Sequence, residues 1–454
     1  MSASRMILER TEREAKKVLI AAEVGASANT SSPNPKRDAS TTEGVASWYP
    51  YYAGYSPAFV RAILAQLKIN PGGVILDPWN GCGTTTQVIA EMGFRGIGFD
   101  INPVPLVVAR ARTLDPALKP QINEEVRSIV ASVLTKKIPR QDDDPLTAWF
   151  VPESAAAFRM LEKRVRNGWP DAAPYQSFPP RHLLPRTPAI TAFLYTALFR
   201  TIRRLLSSFS SSNPTWIKQP ASLANRLRPS GNAIIQQFAQ EARAMAEAIP
   251  AETESPTGAI QLDLASSDAI PLPDNSVDCV IASPPYCTRI DYAVSTLPEL
   301  SILGYNLDTE IRALRDQMIG TPTIGSGPVD SDVSWGPTCL AFLESVRSHQ
   351  SKAAKSYYLK TFLQYFAKLQ RSLREIDRTV KNKSPIVLVV QDSFFKDVHN
   401  DLPLILAEMG QFLGWTLSAR QDHRLRHTMA AVHPHSKNYR TSASATESVL
   451  HFQA

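Results

Sequence analysis

The chain has 454 residues, 43% of them hydrophobic, and it carries a formal net charge of +7 with a pI of about 9.1. This length exceeds the roughly 100–200 residues of a single compact domain. No apolar run reaches the roughly 18 residues of a membrane span, and the acidic N-terminal stretch with Glu9, Glu12 and Glu14 lacks the apolar core of a signal peptide. The composition therefore argues against a membrane protein and against a secreted protein.

The four cysteines, Cys82, Cys279, Cys287 and Cys339, show no spacing that is typical of a metal site. Their small number favours a reducing, cytoplasmic setting in which thiols stay free. We therefore expect a cytoplasmic protein without a structural metal.

The N-terminal region is predicted to be a packing arm followed by a linker. Residues 5–23 place apolar side chains at helical spacing and predict a helix. Residues 24–45 are rich in Ser, Thr, Asn and Pro, which is typical of a flexible segment. After an aromatic stretch, a helix is predicted over Ala58–Leu67, with Pro57 in its first turn and Ser56 as its cap.

A buried strand is predicted at Val74–Leu76, where three apolar residues precede an acid. It leads into a predicted helix over Thr85–Met92 through the stretch Asp77-Pro78-Trp79-Asn80-Gly81-Cys82-Gly83-Thr84-Thr85-Thr86. Glycines at such a turn let the backbone approach a ligand closely. A second strand, Gly96–Asp100, ends in another acid. This order predicts a Rossmann-like half, and the lack of a Gly-Lys-Ser/Thr sequence argues against a triphosphate site.

Residues 119–256 are predicted to be mainly helical, with proline-rich joints. Lys and Arg outnumber Asp and Glu there by 18 to 12, so this segment holds +6 of the net charge of +7. Three tryptophans lie among the basic residues: Trp149, Trp169 and Trp216. Guanidinium groups neutralise phosphates and planar side chains stack on bases, which favours a nucleic-acid contact. The alternative is a helical decoration with solvated charges and buried tryptophans.

The chain returns to the predicted sheet in residues 257–304. One strand is predicted at Ala259–Asp263, and the apolar residues Cys279–Ala282 predict a second, buried one. The second strand is followed at once by Ser283-Pro284-Pro285-Tyr286. Because the carboxyl ends of parallel strands meet at one edge of an α/β sheet, we expect this motif and the glycine turn to share a site.

The remaining residues are predicted to complete the sheet. The Gly-, Pro- and Ser-rich stretch Ile319–Pro337 predicts a loop that either closes over the site or is a plain surface loop. An amphipathic helix is predicted at 352–379, a strand at 385–391, and then a helix and two strands at 400–412, 416–419 and 448–452. A basic turn, for which phosphate contact is favoured over metal binding, is predicted from His433-Pro434-His435, Arg424, Arg426 and Arg440.

Three motifs in this order resemble those of the S-adenosylmethionine-dependent DNA amino-methyltransferases: Asp77-Pro78-x-x-Gly81-x-Gly83-Thr84-Thr85, then Gly98-x-Asp100-x-Asn102-Pro103, then Ser283-Pro284-Pro285-Tyr286. The resemblance covers residues 47–118, 257–304 and 352–454. Trp79-Asn80 departs from the commoner Phe-x of this family, whereas Asp77 and the glycines match. The resemblance implies an α/β fold, namely a Rossmann-like methyltransferase with a mixed seven-stranded sheet and a mainly helical insertion.

Six segments follow from this resemblance. They are an N-terminal helix and flexible linker (1–46), a cofactor-binding half (47–118), a helical basic insertion for target recognition (119–256), the target-motif part (257–304), a loop-rich insertion (305–351) and the C-terminal half of the sheet (352–454). In the recognition insertion, the expected DNA contacts are Arg159, Arg164, Arg203, Arg204, Arg226 and Arg228.

The resemblance implies a site for S-adenosylmethionine. Asp77 would lie near its ammonium group, and Asp100 would accept its ribose hydroxyls. Asp268 would accept the adenine amino group, with Asp263 as the alternative because the sequence does not fix the register. The aromatic segment either closes over the methionine end or is a packed surface loop, and the closing residues would be Tyr55, Ser56 and Pro57. The other cofactor residues implied by the motifs are Pro78, Gly81, Gly83, Thr84, Thr85 and Asn102.

The Ser-Pro-Pro-Tyr motif is expected to hold the target base. The Pro284 carbonyl and the Ser283 hydroxyl would accept hydrogen bonds from the exocyclic amine, and Pro285 would help to fix the backbone. Tyr286 would stack on a base rotated out of the duplex. Serine in the first position resembles the cytosine-N4 enzymes, and adenine N6 stays the alternative. Methylation at cytosine C5 is disfavoured because that reaction typically uses a Pro-Cys nucleophile, whereas Cys287 follows the tyrosine.

The predicted function is therefore site-specific methylation of an exocyclic amine in double-stranded DNA, with S-adenosylmethionine as the cofactor. A cognate restriction or defence-system protein is a further candidate partner. An RNA amino-methyltransferase is the second alternative, and a DNA-binding protein that has lost catalysis is the third. No metal and no membrane contact are expected.

Overall fold

The computed structural model describes residues 33–36, 44–50, 54–133, 142–167, 187–211, 216–250, 258–288, 290–325, 327, 329–425 and 445–454. The predicted N-terminal helix, most of the linker and the predicted turn around His433 lie outside these residues. In the part of the chain that is described, no helix is long and apolar enough to cross a membrane.

Nine strands are present in these residues: β1 (Val74–Asp77), β2 (Arg95–Asp100), β3 (Ile260–Leu264), β4 (Cys279–Ala282), β5 (Pro385–Gln391), β6 (Ser393–Phe395), β7 (Val398–Asn400), β8 (Thr416–Leu425) and β9 (Ala445–Gln453). Seven of them form one sheet in the order β3-β2-β1-β4-β5-β9-β8, and β6 and β7 form a separate hairpin. The first five strands of the sheet are parallel, and β9 is antiparallel to both β5 and β8. The predicted α/β fold class with a mixed seven-stranded sheet is therefore confirmed.

Twelve α-helices are described: α1 (Pro57–Gln66), α2 (Thr84–Glu91), α3 (Pro103–Arg112), α4 (Lys119–Val133), α5 (Pro152–Asn167), α6 (Ala189–Leu205), α7 (Gly231–Glu247), α8 (Leu297–Ile302), α9 (Glu310–Gln317), α10 (Gly336–Ser348), α11 (Leu359–Thr379) and α12 (Leu402–Phe412). The start of α1 follows the predicted chemistry: the Ser56 hydroxyl accepts a hydrogen bond of 3.2 Å from the Phe59 N–H, and Pro57 occupies the first turn.

Helices cover both faces of the sheet, because successive side chains of a strand point to opposite sides. Ile75 and Ile281 pack with α1 and α2 on one face. Leu76 and Val280 pack with α10, α11 and α12 on the other face. Burial on both sides explains why β1 and β4 read as short, continuous apolar runs. It also leaves the polar residues that follow these strands at the open carboxyl edge.

The insertion between β2 and β3 forms a second, helical layer. Helices α4 to α7 pack with α3 and α8 around a core that contains Trp149, Phe158, Phe193, Phe199 and Phe238, all fully buried. The burial of Trp149 agrees with the alternative interpretation of the insertion, in which the tryptophans are core residues and do not stack on bases. The predicted mainly helical insertion is confirmed as part of the fold class.

Three local features differ from the sequence-based expectations. The segment predicted as loop-rich contains α9 and α10, so the irregular stretch is confined to residues 318–335. Helix α11 begins at Leu359, after a π-helical turn at Ala354–Tyr358. The β6–β7 hairpin was not predicted, because its strands have only three residues each and carry too little periodicity to be recognised.

Candidate active site

A cleft opens at the carboxyl ends of β1, β2 and β4, and it encloses about 1050 Å³ of free space including the part that is open to solvent. An α/β sheet typically binds its ligands at this edge. The two predicted motifs meet in this cleft although about two hundred residues separate them. Of the predicted site residues, those that line it are Tyr55, Asp77, Pro78, Gly81, Thr84, Thr85, Asp100, Asn102, Ser283, Pro284, Pro285 and Tyr286.

The glycine turn lines part of the cleft. Gly81 and Gly83 have φ angles of 50° and 79°, a conformation that favours glycine. A β carbon on Gly83 would lie 2.5 Å from the β carbon of Ala109, so this glycine also permits close packing of α2 on α3. Gly83 itself does not line the cleft, and its contribution is the shape of the turn.

Asp77 is a buried acid at the end of β1. Its Oδ1 atom accepts a hydrogen bond of 3.0 Å from the Trp79 N–H, and its Oδ2 atom accepts one from the Thr85 hydroxyl. The hydroxyl of Tyr55 lies 2.6 Å from Thr85 Oγ1 and 3.3 Å from Asp77 Oδ2. Burial raises the pKa of Asp77 to about 7, and these hydrogen bonds oppose the rise. Hydrogen bonds therefore fix the orientation of the carboxyl group, and among the described residues it has no positively charged partner.

Asp100 stands at the end of β2 and faces the same cleft. Its Oδ1 atom accepts a hydrogen bond of 2.7 Å from the Asn102 N–H, and its Oδ2 atom accepts one of 3.0 Å from the Gly81 N–H. Burial raises the pKa of Asp100 to about 6, against the effect of these bonds. The Asn102 side chain caps α3 and donates to Thr296 Oγ1 at 2.9 Å, which ties the cofactor half to the segment after the Ser-Pro-Pro-Tyr motif.

Two predicted cofactor residues next to Tyr55 do not line the cleft. Ser56 and Pro57 begin α1, where the serine caps the helix and the proline fills the first turn. Tyr55 itself is 4% exposed, and its hydroxyl points into the Asp77 network. From this segment, the cleft is lined by Gly54 and Tyr55.

Asp268, which was expected to accept the adenine amino group, does not line the cleft. Its carboxylate forms an ion pair with Arg371 at 3.1 Å and accepts a hydrogen bond of 2.5 Å from Ser266. Asp263, the alternative, also lies outside the cleft lining and accepts a hydrogen bond from Gln261. The residues that line the cleft after β3 are Ala265, Ser266 and Ser267. Asp268 thus orients Ser266, which lines the cleft.

The Ser-Pro-Pro-Tyr motif leaves β4 and turns along the cleft. The Ser283 hydroxyl donates to the Val389 carbonyl at 2.9 Å. The Pro285 carbonyl accepts a hydrogen bond of 2.7 Å from Tyr365. No described group donates to the Pro284 carbonyl. The hydroxyl of Tyr286 donates to Glu447 on β9 at 2.8 Å.

Two of these partners were missed by the sequence-based reasoning. Tyr365 belongs to the apolar stripe of α11 and looks like an ordinary core residue in the sequence. Glu447 lies on a terminal strand, 161 positions from Tyr286. The only available signal was an acid at an inward position of an otherwise apolar strand, where Glu447 is 9% exposed. Burial raises the pKa of Glu447, and the hydrogen bond from Tyr286 opposes the rise.

The structure contradicts two of the predicted DNA contacts. Arg159 is buried, pairs with Asp144 at 2.5 Å and donates to the Ser301 and Ile302 carbonyls at the end of α8. Arg203 is largely buried and pairs with Glu299, which is fully buried. Both side chains point into the protein, because Asp144 of the insertion and Glu299 of α8 neutralise them there.

The other predicted DNA contacts remain at the surface. Arg228 is exposed, Arg164 and Arg226 are partly exposed, and Arg204 is exposed with Glu241 at 3.8 Å. Among the tryptophans of the insertion, Trp149 is buried and donates to the Lys218 carbonyl, whereas Trp169 lies outside the described residues. In the described part of the chain, no group of His, Cys, Asp and Glu is arranged to hold a metal ion.

No family model matches the chain. Over 153 residues it is 26% identical to the Type II methyltransferase M.AvaI of Nostoc sp., an alignment that covers 31% of each chain. It is 32% identical over 66 residues to the Type II methyltransferase M.BsoBI of Geobacillus stearothermophilus, which covers 14% of this chain and 13% of that protein. It is 35% identical over 71 residues to the Type II methyltransferase M.MjaII of Methanocaldococcus jannaschii, with 16% and 13% covered.

Part of the chain is therefore related to Type II methyltransferases. The matched region spans less than a third of the length of these curated relatives. Among solved structures, the rRNA methyltransferase AviRa from Streptomyces viridochromogenes aligns with 89% of this chain and 87% of its own, at 11% identity and a TM-score of 0.26. A similarity at that level supports no argument about function.

Proposed function

We propose that this chain transfers a methyl group from S-adenosylmethionine to the exocyclic amine of a base in double-stranded DNA, with cytosine N4 preferred. One observation carries the proposal: the Ser-Pro-Pro-Tyr motif and the buried acid Asp77 line the same cleft at the carboxyl edge of the sheet. The partial similarity to Type II methyltransferases supports the same class of reaction.

The donor set fits S-adenosylmethionine, which supplies an electrophilic methyl group on a sulfonium centre. Asp77 is an oriented, buried carboxyl whose pKa of about 7 would fall beside a cation, so it suits the ammonium group of the methionine part. Asp100 suits the ribose hydroxyls, since its carboxylate is held by two backbone N–H groups at the end of β2.

The target amine needs acceptors that draw its lone pair out of conjugation with the ring. Ser283 uses its proton in the bond to Val389, so its oxygen lone pairs remain for an amine N–H. The Pro284 carbonyl suits a second amine N–H, whereas the Pro285 carbonyl is engaged by Tyr365. Tyr286 would stack on the extruded base. Positioning of this kind contributes up to about 7–11 kcal/mol in favourable intramolecular reactions.

The choice of base rests on Ser283 alone. A serine at the head of the motif supports cytosine N4 by family habit, and adenine N6 on the same scaffold is the alternative. The Type II designation of the relatives also supports a cognate restriction or defence-system protein as a partner. A cytoplasmic location would bring the enzyme to its substrate.

The test is nucleoside mass spectrometry of duplex DNA after incubation with the purified protein and isotopically labelled S-adenosylmethionine. Label in 4-methylcytosine is the expected result. Label in 6-methyladenine would keep the mechanism and change the base, and label in RNA alone would change the substrate. Bound S-adenosylmethionine without transfer to either nucleic acid would contradict the proposed activity and favour a binding protein.

A further inference from the structure

Several arginines of the helical insertion form ion pairs inside the protein and not at its surface. Four arginines that contributed to its positive charge pair with acids that are buried or nearly so, at N–O distances of 3.5 Å or less. The pairs are Arg159–Asp144, Arg166–Glu162, Arg200–Glu241 and Arg203–Glu299. Three of these acids belong to the insertion itself, so the pairs leave its charge excess almost unchanged, but they engage four of its arginines in internal contacts. The basic surface beside the cleft is therefore a separate candidate for DNA contact.

A second basic segment lies in residues 345–374, which contain seven basic residues and no Asp or Glu. Part of it is also paired: Arg347 with Glu344 at 3.1 Å and Arg371 with Asp268 at 3.1 Å. Three lysines remain exposed, and no described carboxylate lies within ion-pair distance of them. We call Lys352, Lys355 and Lys360 the lysine face.

The lysine face lies at the same edge of the sheet as the cleft. Helix α11 ends at Thr379 and β5 begins at Pro385, so the short connection makes helix and strand antiparallel. The first turns of α11 therefore lie at the carboxyl edge of the sheet. Contact with the catalytic motif agrees with this direction, because Tyr365 of α11 donates to the Pro285 carbonyl at 2.7 Å.

Hydrogen bonds and ring contacts hold the lysine face to the rim of the cleft. The Tyr357 hydroxyl donates to the Pro322 carbonyl at 2.8 Å, a few residues after Ile319, which lines the cleft. The Tyr358 ring packs on Phe395 of the β6–β7 hairpin at a centroid distance of 4.8 Å. These contacts fix the π-helical turn that carries Lys355, and Lys352 and Lys360 lie directly before and after it in the chain. Turns of this type are frequent at functional sites.

The charges around the lysine face leave it positive. His349, at the end of α10, pairs at 3.0 Å with Asp397 of the adjacent hairpin, and Asp332 on the neighbouring loop interacts with Arg374. Three exposed ammonium groups lie within the span 352–360, which suits the repeated phosphates of a polyanion. Duplex DNA offers a phosphate for every 1.7 Å or so of helix axis when both strands are counted.

We infer that duplex DNA docks on the lysine face, Lys352, Lys355 and Lys360, so that its backbone runs along the rim beside the Ser-Pro-Pro-Tyr motif. This inference rests on the proposed function, for which it supplies the substrate-docking surface. The lysines position the duplex through phosphates and carry no sequence information themselves. A base next to the docked backbone can then be rotated into the cleft.

The test compares two triple variants with the same change of charge. One is Lys352→Glu, Lys355→Glu and Lys360→Glu; the matched control is Arg164→Glu, Arg226→Glu and Arg228→Glu in the insertion. Fluorescence anisotropy with a labelled duplex is recorded over a series of salt concentrations, and S-adenosylmethionine binding serves as the check of folding. A third variant, with Gln in place of the three lysines, gives a milder change if the Glu variant does not fold.

We expect the lysine-face variant to bind the duplex at least about tenfold more weakly and to lower the slope of log affinity against log salt by roughly 1 to 3. The control should lose less than about twofold, because its arginines are expected to lie away from the docked backbone. Replacement of the three lysines by arginine should keep both values.

Unchanged duplex affinity in both the Glu and the Gln variants would overturn the inference, as would an equal loss in the control. Tighter binding of an RNA duplex of the same length, lost in the lysine-face variant, would overturn DNA as the partner. Specific loss of duplex binding in an enzyme that shows no methyl transfer would support the docking surface while the proposed activity fails. Methyl transfer with an unaltered KM for DNA in the lysine-face variant would support the proposed activity and contradict the docking surface.

Discussion

The hydroxyl of Tyr286 donates a hydrogen bond of 2.8 Å to the Oε1 atom of Glu447. The tyrosine follows a parallel strand at the centre of the sheet, and the glutamate lies on β9 near its antiparallel edge. The Glu447 Oε2 atom is buried and has no hydrogen-bond partner among the described residues. The edge of the sheet thus fixes the tyrosine on which a target base is proposed to stack.

Removal of this bond should slow turnover without affecting cofactor binding. Tyr286→Phe leaves Glu447 buried without its donor, which costs about 1.5–3 kcal/mol for a bond to a charged group. Glu447→Gln keeps an acceptor oxygen and should stay near the wild-type rate, whereas Glu447→Leu should resemble Tyr286→Phe. Single-turnover rates measure the effect on methyl transfer, and calorimetric titration with S-adenosylmethionine measures the effect on cofactor binding. A normal rate in Tyr286→Ala, which also loses stacking of roughly 1–3 kcal/mol, would remove the residue from the mechanism.

Binding of S-adenosylmethionine should depend on pH through Asp77. Its pKa of about 7 in the free protein means that the carboxyl is mostly protonated below that pH, and a bound ammonium group requires the ionised form. Affinity should therefore fall as the pH is lowered below 7, by about tenfold per unit once Asp77 is mostly protonated. Titrations between about pH 5 and about pH 8 by calorimetry measure this effect. Asp77→Asn should bind weakly with little pH dependence in that window, and an identical slope in this variant would assign the titration to another group.

The same buried acid should destabilise the ligand-free fold at neutral pH. The pKa of Asp77 is raised from 3.8 to about 7 by burial, so the unfolded chain releases this proton first and stability falls as the pH rises between these values. Asp77→Asn removes this ionisation and should raise the stability at pH 8 by on the order of 2–4 kcal/mol. Thermal unfolding of both proteins at pH 5 and pH 8 gives the comparison. A variant that is less stable at both pH values would contradict the role of desolvation.

Gly83→Ala should destabilise the protein far more than the same change at Gly72. Both glycines have similar left-handed φ angles, 79° and 76°, so the backbone strain of about 1–2 kcal/mol is shared. A β carbon at position 72 meets nothing within 4 Å, whereas one at position 83 would lie 2.5 Å from Ala109. The difference between the two melting temperatures isolates the contact of α2 with α3. Equal losses would show that the helices move apart without cost.

Arg159→Ala should act on folding and leave the intrinsic DNA affinity unchanged. The substitution leaves Asp144 buried without its counter-charge, which costs about 3–5 kcal/mol. Arg164→Ala, on the same helix and partly exposed, should change stability by no more than about 0.5 kcal/mol. Denaturant midpoints report the first effect, and DNA titration of the fraction that stays folded reports the second. A stable Arg159→Ala protein with weakened DNA binding would restore the original expectation.

Features encoded by neighbouring residues were predictable from the sequence. The apolar runs of β1 and β4, the glycine turn and the cap of α1 each depend on residues within a few positions of one another, and all were placed within one or two residues. The α/β class followed from their order along the chain, and the mixed seven-stranded sheet was implied by the family resemblance. The division of the chain into six functional segments stays a prediction.

Features that depend on tertiary partners were not predictable. The residue that faces the cleft after β3 could not be identified, because no local motif in the sequence fixes the register of this turn. Asp268 was therefore assigned to the cofactor by family resemblance. The assignment of Arg159 and Arg203 to a DNA surface counted charges without their partners, and Glu299 lies in a different segment from Arg203. Glu447 had no local motif at all. In each case the deciding neighbour is distant in the sequence.

The ion pairs between the insertion and the segment after the catalytic motif bear on protein engineering. A recognition module can be exchanged between related enzymes only if its removal leaves no buried charge unpaired in the rest of the protein. Here Arg203 neutralises a carboxylate of α8, Glu299, which is fully buried, and Arg159 binds the last carbonyls of the same helix. A chimera that receives its insertion from another protein would therefore inherit an uncompensated charge in its core. Changes of target specificity in this scaffold are better sought by point substitution at the rim than by cassette exchange.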